Sequence, residues 1–297
     1  MKESIQTYLE YRKVKKKISL NTWLSYERDL RGFAEYLEKL GIFRVSQINQ
    51  TNILAYVYQL EKAGKSMSTV QRTLVSLRGY FAYLVQFGVL QENPIEDVEL
   101  TKVQKKKPVI LSIEHIEQLL LQPDLSDAKG LRDKAIMELL YATGIRVSEL
   151  ILLEVQDVNL LLSYVRCKPK GTTFKERTIP IGAEAKTALE QYETLGRIQL
   201  VKEERQKCLF LNRRGEPLTR QGIWKLMKAY GVEAGIKEEV TPHSLRHSFA
   251  AHMIANGADV QTVQELMGHT DLASTQIYVQ TEHPKTRQVY TNTHPRA

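Results

Sequence analysis

Apolar residues recur along the first ninety positions at spacings of three and four, the period of helices with one buried face. The clearest stripe is Trp23, Tyr26, Leu30, Phe33 and Leu37, with Asn21 placed to cap its start and Gly41 to stop its last turn. A second stripe, Val70, Leu74, Leu77, Phe81 and Leu84, marks the last of four expected helices. Lys65, Arg72, Ser76 and Gly79 lie about half a turn away on a 3.6-residue wheel. Such a basic, small-residue face suits a DNA groove, and it suits an ordinary solvent face equally well. Residues 1–92 are therefore expected to form a helical domain.

The periodicity stops at Asn93-Pro94 and does not resume before Pro108. The intervening 93–108 stretch is polar and contains Lys102, Lys105, Lys106 and Lys107, as expected of a basic linker lying along phosphates. Residues 109–281 are mixed. Helices are expected near 112–122 and 131–143, the latter ended by Gly144. Strand-like runs follow at 160–168 and 174–181, joined by the hairpin loop Pro169-Lys170-Gly171-Thr172-Thr173. A helix near 183–200, a short strand at 208–211 and helices to about 281 complete the part. The fold class is mainly α with a small antiparallel sheet. The last stretch, 282–297, is broken by His283-Pro284 and holds few apolar residues, chiefly Val289 and Tyr290, so it is expected to dock elsewhere.

Charge sharpens this division. The chain of 297 residues carries a net charge of +8. Residues 1–108 hold 18 Lys and Arg against 11 Asp and Glu, whereas the remainder holds 24 against 23. A basic first third points to a polyanionic partner, without separating DNA from RNA or an acidic membrane surface. No apolar run approaches the roughly 18–20 residues of a membrane span, and Met1-Lys2-Glu3-Ser4 has no signal-peptide core, so a cytoplasmic protein is expected. The two cysteines, Cys167 and Cys208, have no Cys or His partner at metal-ligand spacing and are expected to be reduced core residues.

The chain has no phosphate-cradling G-x-x-x-x-G-K-[ST] loop, no G-x-S-x-G and no H-E-x-x-H. It has instead a spaced set of Arg, Lys, His and Tyr. Thr241-Pro242-His243-Ser244-Leu245-Arg246 reads as a helix start with Thr241 as its cap, placing His243 and Arg246 on one side of an anion-favouring first turn. Alone, this H-x-x-R is weak and describes a surface pair as well. Thr143-Gly144-Ile145-Arg146-Val147-Ser148-Glu149-Leu150 puts Arg146 just beyond a helix end, with Glu149 placed either to orient the guanidinium or to face solvent. Gly268-His269 precedes a further helical run that reaches Tyr278, nine residues beyond His269.

Together with Leu266-Met267-Gly268-His269 and Ser274-Thr275-Gln276-Ile277-Tyr278, these segments resemble the tyrosine recombinase (phage integrase) family, closest to its Xer subgroup. The resemblance spans the chain, including the ending His294-Pro295-Arg296-Ala297. It implies an N-terminal core-binding, SAM-like domain, an α+β catalytic domain over 109–281, and a tail that passes to a neighbouring protomer. It implies site-specific cleavage and rejoining of DNA through a 3′-phosphotyrosine at Tyr278. Arg146 and Arg246 would bind the scissile phosphate, and His269 would donate to it as charge builds. His243 would be the base, and Lys170 would protonate the leaving 5′-oxygen. The hairpin departs from the usual Gly-Lys-Gly-Asn-Lys-Glu-Arg of the subgroup by two extra residues, which keeps Lys168 and Lys175 as alternatives to Lys170.

No metal and no nucleotide cofactor is expected from such chemistry. The implied partners are a double-stranded recombination site and a tetramer on paired sites, with a second related recombinase and an accessory regulator as further candidates. Resolution of chromosome dimers is the implied role. An integrase of a phage or mobile element and a non-catalytic DNA-binding derivative are the alternatives. An integrase often carries an extra arm-binding domain, and with the first helix starting near Met1 none is expected here.

Overall fold

The computed structural model describes residues 1–16, 18–98, 108–168 and 176–268. The chain separates into two compact units, Met1–Lys106 and Lys107–Ala297.

In the first unit, helices α1 (Lys2–Lys15), α2 (Leu20–Lys39), α3 (Gln50–Lys62) and α4 (Met67–Gln86) enclose one apolar core. Leu30, Phe33 and Leu37 of α2 are fully buried against Leu74, Leu77, Phe81 and Leu84 of α4, as the two stripes require, while Trp23 and Tyr26 are only half-buried at its edge. Helix α2 begins earlier than Asn21 suggests. Ser19 is the cap, its hydroxyl accepting from the Thr22 amide at 3.2 Å, because a serine two positions upstream offers the same short acceptor.

Two expectations fail in this unit. Ile95 and Val98 are buried in its core and Arg78 donates to the Val98 carbonyl at 2.9 Å, so residues 93–98 belong to the domain and not to a linker. The back face of α4 is also a packed face. Ser76 is fully buried and donates to Asp29 at 3.0 Å, Arg72 forks onto both Asp29 oxygens at 2.7 and 3.0 Å, and a side chain at Gly79 would meet the Tyr8 hydroxyl at 2.5 Å. Asp29 is a buried carboxylate on α2, and burying it requires these donors. Ser76 thus cannot face DNA, and Arg72 is committed to Asp29. Lys65 alone of the three stands exposed. Lys105, Lys106 and Lys107 lie outside the described residues.

The second unit is built around α6 (Ala128–Thr143), which is buried along most of its length. It packs against α8 (Ala183–Gln191) and α11 (Pro242–Ala255), with α5 (Ile113–Leu121), α7 (Val147–Leu150), α9 (Ile198–Leu200), α10 (Arg220–Glu233) and α12 (Val260–Met267) around them. The region expected as one helix near 183–200 is continuous but passes through a π-turn at Tyr192–Arg197. Three charged residues of α6, Arg132, Asp133 and Glu138, are buried with it. Asp133 is fully buried and accepts from Arg132 at 2.7 Å, Lys129 at 3.0 Å and the Tyr230 hydroxyl at 3.0 Å, which fixes α10 to α6.

The sheet is a small antiparallel meander, β1 (Val158–Asn159), β2 (Tyr164–Cys167) and β3 (Arg177–Pro180). Residues 160–163 turn between β1 and β2, with Ser163 at φ 52°, so β2 starts later than its apolar run suggests. Val165 pairs with Ile179 and both are buried, while Cys167 pairs with Arg177. The expected strand at 208–211 reduces to two isolated bridges, Glu154 with Cys208 and Leu211 with Pro217.

Helix α6 ends at Gly144, whose φ of 56° lies in the left-handed region and whose α-carbon abuts the Phe249 ring. An added Cβ would sit 2.4 Å from Phe249 Cδ1. Gly144→Ala is expected to lower unfolding stability by at least about 1–2 kcal/mol, from the backbone conformation alone, in a chemical denaturation experiment. Unchanged stability would show that the helix end relaxes to a conformation open to any residue.

Candidate active site

Three helix ends meet beside the sheet. The left-handed turn at Gly144 sends the chain sharply out of α6, so that Arg146 opens α7. Its own backbone amide donates to Glu149 Oε2 at 2.8 Å, three residues on. Thr241 begins α11, accepting from the Ser244 amide at 3.0 Å while the Ser244 hydroxyl accepts from the Thr241 amide at 2.8 Å. With Pro242 in the first turn, this box fixes the start of the helix that carries His243 and Arg246. Helix α12 ends at Gly268, again left-handed at φ 63°.

The arginines converge on that last helix end. Arg146 donates to the carbonyls of Met267 at 3.2 Å and Gly268 at 2.8 Å. Arg246, 5% exposed, donates to the same Met267 carbonyl at 2.8 Å and to that of Gly144. Arg177 on β3 donates to the carbonyl of Leu266 at 2.8 Å. A helix C-terminus offers unpaired carbonyls and the negative end of the helix dipole, which suits cations. These carbonyls orient each guanidinium, a rigid planar fork, through both of its terminal nitrogens. Two guanidinium groups held on one oxygen form a site for an anion with several oxygens, such as a phosphate diester.

Glu149 tempers this positive charge. It accepts from Arg177 at 2.7 and 2.9 Å and lies 3.7 Å from Arg146 NH1. Burial acts to raise its pKa, but the bonds from Arg177 and from the Arg146 amide outweigh this and hold the carboxyl below its usual range. Arg177 is the residue that sequence reasoning missed. Its signal was indirect, since a buried carboxylate in the Arg146 segment needs a buried cation from elsewhere.

His243 is exposed in the first turn of α11, and its ring centroid lies 6.4 Å from that of His247. The structure thus brings together Arg146, Arg246 and the helix start bearing His243. Lys170, His269 and Tyr278 lie outside the described residues, although the chain reaches Gly268 immediately before His269. Lys168 forms an ion pair with buried Asp157 at 2.5 Å, which occupies one of the alternatives to Lys170. Among the described residues, no group of three or more His, Cys, Asp or Glu gathers as metal ligands.

Residues 110–284 match the Phage integrase family, and residues 5–88 match the Phage integrase, N-terminal SAM-like domain. The chain belongs to the phage integrase family. Its relatives place it among the tyrosine recombinases, as a site-specific DNA recombinase of the Xer type. It is 41% identical over 295 residues to Tyrosine recombinase XerD of Halalkalibacterium halodurans, covering 99% of this chain and 98% of that protein. It is likewise 41% identical over 297 residues to Tyrosine recombinase XerD of Staphylococcus haemolyticus, covering 100% of both. A solved XerH site-specific recombinase bound to difH substrate in a pre-cleavage complex shares the fold, with a TM-score of 0.72, 23% identity, and coverage of 94% of this chain and 82% of that one. Among the described residues no helix is long and apolar enough to cross a membrane.

In this recombinase His247 marks the interior side of the site. Burial pushes its pKa down to about 4, with the charges of His243 and Arg246 adding to the effect. The unfolded chain takes up that proton near pH 6.5, before the folded one does, so stability is full above this value and falls as pH drops toward about 4. His247→Gln is expected to flatten the fall of the unfolding temperature across that window. A variant as acid-sensitive as the parent would contradict the buried, neutral state of His247.

Proposed function

We propose that this recombinase cleaves DNA by attack of the Tyr278 phenolic oxygen on the scissile phosphorus. The phosphorus–oxygen bond to the 5′-oxygen breaks, leaving a 3′-phosphotyrosine and a free 5′-hydroxyl. A phenol of pKa about 10 is ionised roughly one part in a thousand at neutral pH, a shortfall of about 4 kcal/mol. His243, exposed at the start of α11, takes that proton. Arg146 and Arg246 bind the non-bridging oxygens, His269 adds a hydrogen bond in the transition state, and Lys170 supplies a proton to the leaving oxygen. Religation runs the same steps backwards, and the bond energy kept in the phosphotyrosine removes any need for a nucleotide. The observation that carries this proposal is the shared Met267 carbonyl, which holds Arg146 and Arg246 on one point directly before the Gly268-His269 step.

The relatives also support a reading of the biological role. Near-complete coverage of proteins called XerD favours Xer-type resolution of chromosome dimers over integration of a mobile element. The reaction would run in a tetramer on paired sites, with residues 282–297 passing to a neighbouring protomer and with a second related recombinase as partner.

Tyr278→Phe removes the nucleophilic oxygen alone. The variant is expected to bind a nicked recombination site with unchanged affinity and to give no covalent protein–DNA band on a denaturing gel. An adduct formed by the variant would move the nucleophile elsewhere, with Tyr290 the first candidate.

A further inference from the structure

We propose that Arg177 is a positioning residue for the cleavage reaction, acting through Glu149 and the end of α12 to hold Arg146 against the scissile phosphate. The proposal rests on the phosphate-binding role given above to Arg146. Arg177 stands at the start of β3, opposite Cys167, and its side chain is only 13% exposed. It makes a two-pronged pair with Glu149, 2.7 Å from NH1 to Oε1 and 2.9 Å from NH2 to Oε2, and its Nε donates to the Leu266 carbonyl at 2.8 Å.

Each of these contacts leads to Arg146. Glu149 accepts from the Arg146 backbone amide, so fixing the carboxylate fixes the backbone from which the Arg146 side chain leaves. The Leu266 carbonyl is one residue before Met267 and two before Gly268, the acceptors of the Arg146 guanidinium. Arg177 therefore grips both the root and the anchor of Arg146. The fit at the helix end is close, because a Cβ on Gly268 would lie 2.9 Å from the Arg177 guanidinium carbon. A planar fork with three donors along its edge can satisfy Glu149 and Leu266 at once, whereas a lysine ammonium in the same place cannot reproduce that geometry.

A role carried through Arg146 differs from a general structural role in how it depends on phosphate charge. Arg146 neutralises a non-bridging oxygen. A substrate with a neutral methylphosphonate at the scissile position needs less of that neutralisation, so displacing Arg146 should matter less. The test measures adduct formation by Arg177→Ala, Arg177→Lys and Arg146→Ala on nicked DNA carrying either an ordinary phosphate or a methylphosphonate. DNA binding and cooperative unfolding are followed alongside.

Arg177→Ala is expected to bind DNA like the parent and to lose on the order of 10- to 100-fold in cleavage rate at the phosphate, the scale of a small misplacement of a reacting group. Arg177→Lys should lose less but stay below the parent, and both losses should shrink to a few-fold at the methylphosphonate, as for Arg146→Ala. If Arg177→Ala fails to fold, the same comparison is made with Arg177→Lys. Equal losses on both substrates, or a full rate in Arg177→Lys, would overturn the positioning role. If Arg146→Ala itself gains nothing from the neutral linkage, the phosphate-binding role of Arg146 falls, and the proposal with it.

Discussion

The end of helix α12 is the constraint on which the site depends. Arg146 and Arg246 both donate to the Met267 carbonyl, at 3.2 and 2.8 Å, so their nitrogens are at most 6 Å apart. Two like charges at that separation repel by about 3 kcal/mol at an effective dielectric near 20, and without acceptors the side chains would splay. The carbonyls of residues 266–268 and the carboxylate of Glu149 offset that repulsion before any substrate arrives. In the proposed reaction a phosphate diester would enter a site whose charge is already arranged, which is how fixed dipoles and charges lower a barrier without reorganising. Three separate pieces of chain converge on that helix end, one after α6, one on β3 and one on α11.

Much of the first unit was legible because burial there follows one period. Leu30, Phe33 and Leu37 face Leu74, Leu77 and Phe81 as their spacing requires. The back face of α4 departs from its local pattern for a physical reason. Arg72, Ser76 and Gly79 are small or basic and suit a surface, yet a buried Asp29 on α2 and the Tyr8 hydroxyl on α1 turn them inward. A carboxylate that lies 43 residues from its arginine leaves no mark in a local pattern. Pro94 and the polarity of residues 93–98 suggest a linker, since only Ile95 and Val98 carry the packing.

The candidate site was legible as a set of motifs, since Gly144, Thr241-Pro242 and Gly268 are helix-end signals that act locally. What the motifs do not encode is their meeting point. Arg146 finds its acceptors 121 and 122 residues away, and Arg177 reaches Leu266 across 89. Distances of that kind are set by how α6, α11 and α12 pack, and α6 in particular shows no amphipathic stripe because nearly all its sides are buried. Arg177 was hidden for the same reason, as a cation on a short strand whose partner lies in another motif.

The most direct measurement is a crystal structure of the Tyr278→Phe protein on its uncut DNA site. Both Arg146 and Arg246 should place guanidinium nitrogens within about 3 Å of non-bridging oxygens of a single phosphate while keeping their bonds to the Met267 carbonyl. A complex in which the two arginines contact different phosphates, or in which either releases the end of α12 to reach DNA, would contradict a site organised in advance by that helix.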